Sequence, residues 1–421
     1  MTAKPNSIII VGGGLAGMGC ALAIANRAMG NCHITIIDRQ SPPVAGAKDK
    51  DERDKDGRAY AIAARNFSML QTLGVTDSLK GAVQAINDIL ISDGVAGATP
   101  SPLTLHFDSA AQSADGEKTP SGYMIEAHSL TCAVADKVRQ SSCIDFLTAS
   151  VVGHESDSKG VTVTLDSGKT LRAALLIAAD GRGSPTRKRA GIEVTGWDYD
   201  QKAIVTTVCH ELPHEGVAHE LFMPTGPFAI LPLTDDSQGR HRSSIVWTER
   251  ARAASAAAAL PAGLFEAELA RRFGDHWGKV TVCAAPRVFA LNLQMAKSFR
   301  APRLALIGDA AHGIHPIAGQ GLNLGLRDIA AMADVVAEAI EAGSDIGADM
   351  ALTRYEQWRR FDSQLVASAS DVFNKLFSNN ASPLRHARRL AIAAVDKLAP
   401  AKALFMNEAS GASGQLPTLL Q

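Results

Sequence analysis

The sequence predicts an α/β fold in which a nucleotide-binding domain is interleaved with a second, mixed-sheet domain. Three observations support this: a β-α-β pattern opens the chain, a later apolar strand again leads into a glycine-rich helix start, and short strands interrupt the helical pattern twice between them. The chain has 421 residues, of which 46% are hydrophobic and 20% are charged. This length favours more than one domain, and this composition is typical of a soluble α/β enzyme.

The first β-α-β unit begins with the apolar strand Ser7 to Val11 and turns through Gly12-Gly-Gly-Leu-Ala-Gly17 into a helix that ends near Met29. A second strand, Cys32 to Asp38, follows. Glycines in such a turn let backbone N–H groups approach a pyrophosphate at the helix N-terminus, and an acidic residue ending the second strand can accept ribose hydrogen bonds. We therefore expect a dinucleotide to be bound by Gly12, Gly14, Leu15, Ala16, Gly17, Asp38 and Arg39.

The middle of the chain leaves this pattern and returns to it. Short β-like pieces, Ile89 to Ser92 and Leu103 to Phe107, precede a helix at 129–140, an alternating strand Val161 to Leu165 and one buried strand, Leu171 to Ala178. A second excursion, Gly191 to Ala285, includes an Ala-rich helical stretch at 250–273.

A third strand, Arg303 to Ile307, leads into Gly308-Asp309 and then into a glycine-rich helix start. A carboxylate at a strand end can bind the ribityl hydroxyls of FAD, and a helix N-terminus can stabilise the N1 and O2 edge of the flavin. We expect flavin contacts from Gly308, Asp309, Pro316, Gly319, Gln320, Gly321, Leu322 and Asn323.

The predicted architecture is therefore a Rossmann-like FAD-binding domain interleaved with a mixed-sheet substrate domain and a C-terminal helical segment. The FAD-binding domain is assigned to residues 1–81, 123–190 and 286–345, the substrate domain to 82–122 and 191–285, and the helical region to 346–421. Residues 48–56 are all charged and predict a solvated loop. Residues 385–397 are basic and amphipathic, which fits either ordinary packing or a membrane or partner surface.

A third motif, Asp180-Gly181-x-x-Ser184-x-x-Arg187, follows the buried strand. Together with the other two motifs and Arg58, it resembles the group A flavoprotein monooxygenases, which have the p-hydroxybenzoate hydroxylase-like fold. In that family, residues at the positions of Arg58 and Asp180 lie near the FAD pyrophosphate, and the Asp-Gly loop also serves NAD(P)H.

A narrower resemblance covers nearly the whole chain. Its segments are similar, in the same order, to the UbiH/UbiF/VisC-type FAD-dependent hydroxylases of ubiquinone biosynthesis. They are 121–126, 197–201, 213–214, 226–227, 231–233, 246–247 and 315–325. The chain departs from that family in its longer charged loop before Arg58 and in having His128, a predicted flavin contact, where Arg or another polar group is more usual.

The resemblance implies an aromatic-ring hydroxylase that acts on a polyprenylated phenol through a flavin C4a-hydroperoxide formed with O2. Electrons would come from NAD(P)H or a ferredoxin. Pro316 would line the flavin face, and the candidates for a base that deprotonates the phenol are His312, His315 and Tyr199. We expect Phe222, Phe228 and Leu231 to face the prenylated ring.

Two other functions remain open. The same flavin motifs would serve a hydroxylase or epoxidase of another lipophilic or phenolic metabolite. A non-catalytic scaffold of a lipid-biosynthesis complex could also keep FAD for stability, although intact motifs at all three FAD positions weigh against it. The net charge of −1 disfavours nucleic acid as a partner.

Six cysteines, Cys20, Cys32, Cys132, Cys143, Cys209 and Cys283, form no C-x-x-C pair. We therefore predict no metal site, no redox disulfide and no flavin disulfide reductase, and we interpret all six cysteines as small apolar residues in a reducing compartment. Only six residues precede the first strand, so we expect no signal peptide and a cytoplasmic location. No apolar run reaches the roughly 18 residues of a membrane span, so any contact with a membrane would be peripheral.

Overall fold

The computed structural model describes residues 6–44, 57–97, 104–108, 120–274, 277–314, 319–377 and 415–421. The predicted charged loop at 48–56 and the basic segment at 385–397 lie outside these residues. So do the candidate base His315 and the predicted flavin contact Pro316.

Twenty-one strands are present in the described chain. They are β1 (Ser7–Val11), β2 (His33–Asp38), β3 (Ala59–Ala63), β4 (Val83–Ile86), β5 (Asp88–Asp93), β6 (Thr104–Asp108), β7 (Gly122–Glu126), β8 (Ile144–Thr148), β9 (Val151–Asp157), β10 (Gly160–Leu165), β11 (Thr170–Ala173), β12 (Leu175–Ala178), β13 (Val194–His210), β14 (Val217–Met223), β15 (Gly226–Leu233), β16 (His241–Arg250), β17 (Val280–Val282), β18 (Arg287–Ala296), β19 (Arg300–Ala301), β20 (Leu304–Leu306) and β21 (His312–Gly313).

Eight α-helices accompany them within the same residues. They are α1 (Leu15–Arg27), α2 (Ala64–Thr72), α3 (Ala127–Gln140), α4 (Pro185–Arg189), α5 (Ala251–Ala258), α6 (Ala262–Phe273), α7 (Gln320–Glu341) and α8 (Asp349–Phe377). None of the described helices is both long enough and apolar enough to cross a membrane.

A six-stranded sheet in the order β19-β20-β12-β1-β2-β8 forms the centre of the first domain. All its neighbours are parallel except β19 and β20. Its strands are rich in Ile, Leu and Val because α1, α3 and α7 help to bury them, as is usual for a parallel sheet. This sheet and the helices confirm the predicted α/β class.

A nine-stranded sheet forms the second domain. Its order is β21-β18-β13-β16-β15-β14-β5-β6, with β17 paired to β13, and only the β14–β5 pair is parallel. Helices α5 and α6 cover one face. The other face packs against the small sheet β3-β7-β4. Strands β18 and β21 belong to this large sheet, so the predicted boundary between residues 285 and 286 falls inside it; the other domain boundaries stay predictions.

The single buried strand expected from Leu171 to Ala178 is in fact two strands in different sheets. Strand β11 pairs antiparallel with β10, and β12 pairs parallel with β1. The chain passes between the sheets at Ala174, whose N–H donates to the Ser7 carbonyl. A continuous apolar run contains no local signal for such a crossing, because both halves are equally buried.

Cys209 and Cys283 form a disulfide, which corrects the prediction of six unpaired cysteines. They are 74 residues apart in sequence, but the pairing of β13 with β17 brings their Cα atoms to 6.1 Å. Because the pairing depends on strand register rather than on a short spacing motif, the sequence did not reveal it.

Candidate flavin and substrate site

The three glycines of the first motif have two different physical roles. A Cβ on Gly12, whose φ is +111°, would lie 2.3 Å from the Ala179 carbonyl oxygen, and one on Gly17 would lie 1.8 Å from the Gly12 carbonyl oxygen. Both glycines are therefore required by the packing of the turn itself. A Cβ on Gly14 would meet no protein atom within 4 Å. Gly14 precedes α1, so this open space lies at a helix N-terminus, where a pyrophosphate binds favourably.

Asp38 lies at the end of β2 beside this turn. Its Oδ2 accepts from the Gly13 N–H at 2.7 Å, and its Oδ1 accepts from the Gln40 N–H at 2.9 Å. A carboxylate has about four acceptor positions, so two remain for ribose hydroxyls. The neighbouring Arg39 is exposed. The ribose contacts of both residues stay predictions.

The Gly308-Asp309 turn lies against the first motif. Gly308 has a φ of +55°, and a Cβ there would lie 3.3 Å from the Cβ of Ala16 in the first turn of α1. The next side chain, Asp309, is exposed, and its Oδ2 lies 3.7 Å from the Arg182 Nε. The two distant motifs therefore share one site, with a carboxylate at its surface as the ribityl chain of FAD would require.

Helix α7 begins at Gln320 with a second open glycine. Its N-cap residue, Gly319, has a φ of +64° and lies against the Cβ of Ala61 in β3. A Cβ on Gly321 would meet no protein atom within 4 Å. Together with Gly14, this glycine keeps space open at a helix N-terminus, which fits a group that carries partial negative charge, such as the flavin N1 and O2 edge.

The side-chain amide of Asn323 is engaged within the protein, and a contact of Asn323 with the flavin stays a prediction. Its Nδ2 donates to the carbonyls of Ala61 and Gly319, at 2.8 and 3.1 Å. Its Oδ1 accepts from the N–H of Ala63 and from Asn66 Nδ2, at 2.9 and 2.8 Å. These bonds use the whole hydrogen-bonding capacity of the amide. Asn323 therefore holds the start of α7 against β3 and α2. Its neighbour Leu322 is half-buried at the same helix start.

The comparisons with known proteins agree with this geometry. Residues 6–369 match the family model described as "FAD binding domain". Over 97% of its length, the chain is 42% identical to the ubiquinone hydroxylase UbiL of Rhodospirillum rubrum, of which it covers 90%. It is also 33% identical to the 3-demethoxyubiquinol 3-hydroxylase of Escherichia coli, with 98% of this chain and 100% of that protein covered.

The chain belongs to the family of FAD-dependent ubiquinone hydroxylases. A solved structure, the p-nitrophenol 4-monooxygenase PnpA of Pseudomonas putida, is similar in fold, with a TM-score of 0.76 at 17% identity over 99% of this chain and 100% of that one. The predicted resemblance is thus confirmed, and this family member is a FAD-dependent monooxygenase.

In this hydroxylase, the Asp180-Gly181 loop connects the first two motifs. The Asp180 carboxylate caps the short helix α4. The Ser184 hydroxyl donates to Asp180 Oδ1, and the Thr186 N–H donates to Asp180 Oδ2 at 3.0 Å. Gly181 has a φ of +80°, a backbone conformation that favours glycine. The buried Arg187 donates to the Ala310 carbonyl at 2.7 Å, which ties this loop to the Gly308-Asp309 turn.

Two predicted FAD contacts have other partners in the structure. The Arg58 guanidinium lies 5.6 Å from the ring centroid of Phe289 in β18. His128 is exposed near the start of α3, with its Nε2 3.5 Å from the Cys132 sulfur. Contacts of Arg58 and His128 with FAD stay predictions.

His312 does not have the setting of a base that meets substrate. It is 1% exposed, and its Nε2 lies 2.6 Å from Asp328 Oδ2. Asp328 also accepts from Arg359 Nε at 2.8 Å and from the Gly308 N–H at 2.9 Å. Burial opposes the ionisation of Asp328, but the charges of His312 and Arg359 outweigh it and hold its pKa below the usual carboxyl value. This network positions the Gly308 turn, and the sequence did not reveal Asp328 because a buried carboxylate inside a helix has no local motif.

Tyr199 is also unsuited to act as a base. Its hydroxyl donates to Asp371 Oδ1 in α8 at 3.0 Å. Burial and this hydrogen bond raise the pKa of Tyr199 above its usual value, so the phenol stays protonated at neutral pH. Its contact instead joins β13 to α8.

The nine-stranded sheet separates the three residues predicted to face the substrate ring. Phe228 packs against Trp247, with ring centroids 6.5 Å apart, in the cluster covered by α5 and α6. Leu231 packs against the small sheet on the opposite face. Phe222 pairs in register with Pro227 of β15, and paired residues point to the same face. Pro227 and Leu231 are four residues apart on β15, so Phe222 shares the face of Leu231 and not that of Phe228. The assignment of Phe228 to the substrate face is therefore wrong.

Proposed function

We propose that this protein hydroxylates the aromatic ring of a polyprenylated phenol in ubiquinone biosynthesis, with FAD and O2. The observation that carries the proposal is the pair of open glycine positions, Gly14 and Gly321, each at a helix N-terminus, in a chain 42% identical to a ubiquinone hydroxylase. When bound, FAD supplies the oxygen-activating chemistry.

The residues of the chain bind and orient the cofactor. The turn at Gly14 would hold the pyrophosphate, Asp38 the adenosine ribose, Asp309 the ribityl chain and the backbone at Gly321 the flavin edge. The buried hydrogen bonds of Asn323 and Asp328 hold these turns in place. The electron donor, NAD(P)H or a ferredoxin, is to be identified by adding each to the purified protein and recording flavin reduction.

The test is the lipid content of a deletion strain of the source organism. We expect ubiquinone to fall and an under-hydroxylated prenylphenol to accumulate. A wild-type copy of the gene should reverse both changes. A copy with Gly14→Ala should reverse neither. Normal ubiquinone in a deletion strain that has no second hydroxylase would refute the proposal.

We further propose that the protein works at the cytoplasmic surface of a membrane. A polyprenylated substrate partitions into the bilayer, because burying its apolar chain is favourable. Phe361 and Leu365, four residues apart on α8, are 73% and 56% exposed and offer an apolar face. Wild-type protein should float with liposomes, and the double variant Phe361→Ser with Leu365→Ser should float less. Wild-type protein that stays with the soluble fraction would contradict this proposal.

A further inference from the structure

Glu220 is an acidic residue whose in-register neighbours on its face of the sheet are apolar. In β14 it lies two residues from Ala218 and two from Phe222, so the three side chains share one face of the sheet. It pairs in register with Ala229 of β15 and Ile91 of β5. Residues paired in register point to the same face of a sheet. Ala218 belongs to the cluster that packs against β3 and β7, so Glu220 lies on the face opposite α5 and α6.

This face is directed toward the proposed flavin edge. The cluster that includes Ala218 and Leu231 also includes Ala61 of β3. Ala61 lies against Gly319, where α7 begins, and its carbonyl accepts from Asn323. A ring bound between this sheet face and the start of α7 would therefore lie between Glu220 and the flavin.

The carboxyl group of Glu220 has no partner in the described part of the chain. It forms no hydrogen bond and no ion pair there, and its in-register neighbours are apolar. Burial alone raises the pKa of Glu220 to about 7. A half-buried acid without a partner costs folding free energy, and such groups are concentrated at functional sites.

Other charged groups on this face are engaged elsewhere. Strand register and packing place five such groups here. They are Asp93 of β5, Arg242 of β16 paired with Glu126 of β7, Arg58 over the Phe289 ring, and Asp371 of α8, which accepts from Tyr199. None of them contributes to the raised pKa of Glu220. The carboxyl group is therefore free to interact with a ligand.

We infer that Glu220 is the general base of the hydroxylation proposed above, and the inference rests on that function. Its carboxylate accepts the proton of the phenolic hydroxyl of the substrate. The phenolic O–H bond breaks, its electron pair stays on the substrate oxygen as a phenolate, and a new O–H bond forms on the carboxyl group. The ring becomes more electron-rich and reacts faster with an electrophilic oxygen.

The test compares wild-type holoenzyme with Glu220→Gln and Glu220→Asp in single-turnover hydroxylation across a range of pH. Two prenylphenols are used. One has an ordinary phenolic hydroxyl group. The other carries an electron-withdrawing substituent, so its phenolic hydroxyl group is already ionised at neutral pH. With the ordinary phenol, Glu220→Gln should lower the rate by about 100-fold or more and abolish the decline below pH about 7. With the acidic phenol, the loss should be less than about ten-fold, because the proton is already gone.

FAD content and the melting temperature show whether each variant is folded, and Glu155→Gln on the exposed strand β9 is the matched control. If Glu220→Gln does not fold, Glu220→Asp should still shift the decline at low pH. A Glu220→Gln rate within about three-fold of wild type, or equal losses with both phenols, would overturn the assignment of Glu220 alone. Failure of the wild type to hydroxylate either phenol would instead refute the proposed function.

Discussion

The His312 Nε2 lies 2.6 Å from Asp328 Oδ2, and both side chains are buried. Asp328 also binds Arg359 and the backbone of Gly308, so one carboxylate joins α7, α8 and the Gly308-Asp309 turn. Removing one member of a buried ion pair leaves the others uncompensated, which costs more than the pair itself contributes.

We therefore expect Asp328→Asn to lower the free energy of unfolding by about 3 to 5 kcal/mol. Urea denaturation followed by circular dichroism measures this change. Asp166→Asn, at an exposed turn, is the matched control and should change stability by less than about 0.5 kcal/mol. Equal stability of the two variants would show that the network is not a structural unit.

The two classes of glycine in the first motif predict two different defects. Gly17→Ala should not fold, because its Cβ would overlap the Gly12 carbonyl oxygen. Gly14→Ala should fold with the melting temperature of the wild-type apoprotein, because the space there is open. It should nevertheless bind FAD at least about ten-fold more weakly, a loss of about 1.4 kcal/mol. Titration of the apoprotein with FAD measures this, and wild-type affinity in Gly14→Ala would place the pyrophosphate elsewhere.

Asn323→Ala should damage both stability and cofactor binding. It removes an amide that satisfies buried groups of Ala61, Ala63 and Asn66, at a cost of about 2 to 3 kcal/mol. The start of α7 should loosen, so that FAD is released at a lower temperature, which flavin fluorescence reports directly. Asn31→Ala, at an exposed turn, serves as the control. Loss of FAD without any loss of stability would indicate a direct flavin contact instead.

Glu220 predicts a dependence of stability on pH. Its pKa is about 7 in the folded protein and 4.5 ordinarily. Below pH 4.5 the group is protonated in both states and contributes nothing. The folded state is increasingly penalised as pH rises from 4.5 to 7, and the full penalty persists above 7.

Replacing Glu220 with Gln removes this penalty. Glu220→Gln should be more stable than wild type by about 1 to 2 kcal/mol at pH 8, after allowance for partial solvent access, and nearly equal to it at pH 4.5. Thermal melts of both proteins at the two pH values measure the difference. A constant difference between the proteins at all pH values would mean that Glu220 does not titrate with a raised pKa.

Elements whose signals are local can be predicted from the sequence. The strand Ser7–Val11, the glycine turn and α1 follow one another within 21 residues. Backbone geometry limits these positions to few residue types, so the residues reveal the turns. The family resemblance followed from several such segments in one order.

Contacts between distant segments of the folded chain set which side chains are available to a ligand. Asn323 and His312 lie within the predicted flavin motifs, but partners distant in sequence use their polar atoms. Phe228 lies on the helix-covered face of the sheet and Glu220 lies on the opposite face, because strand register sets the face of each residue. Hydrogen-bond saturation, register and the pairing of Cys209 with Cys283 all arise from contacts between distant segments, which no local pattern encodes.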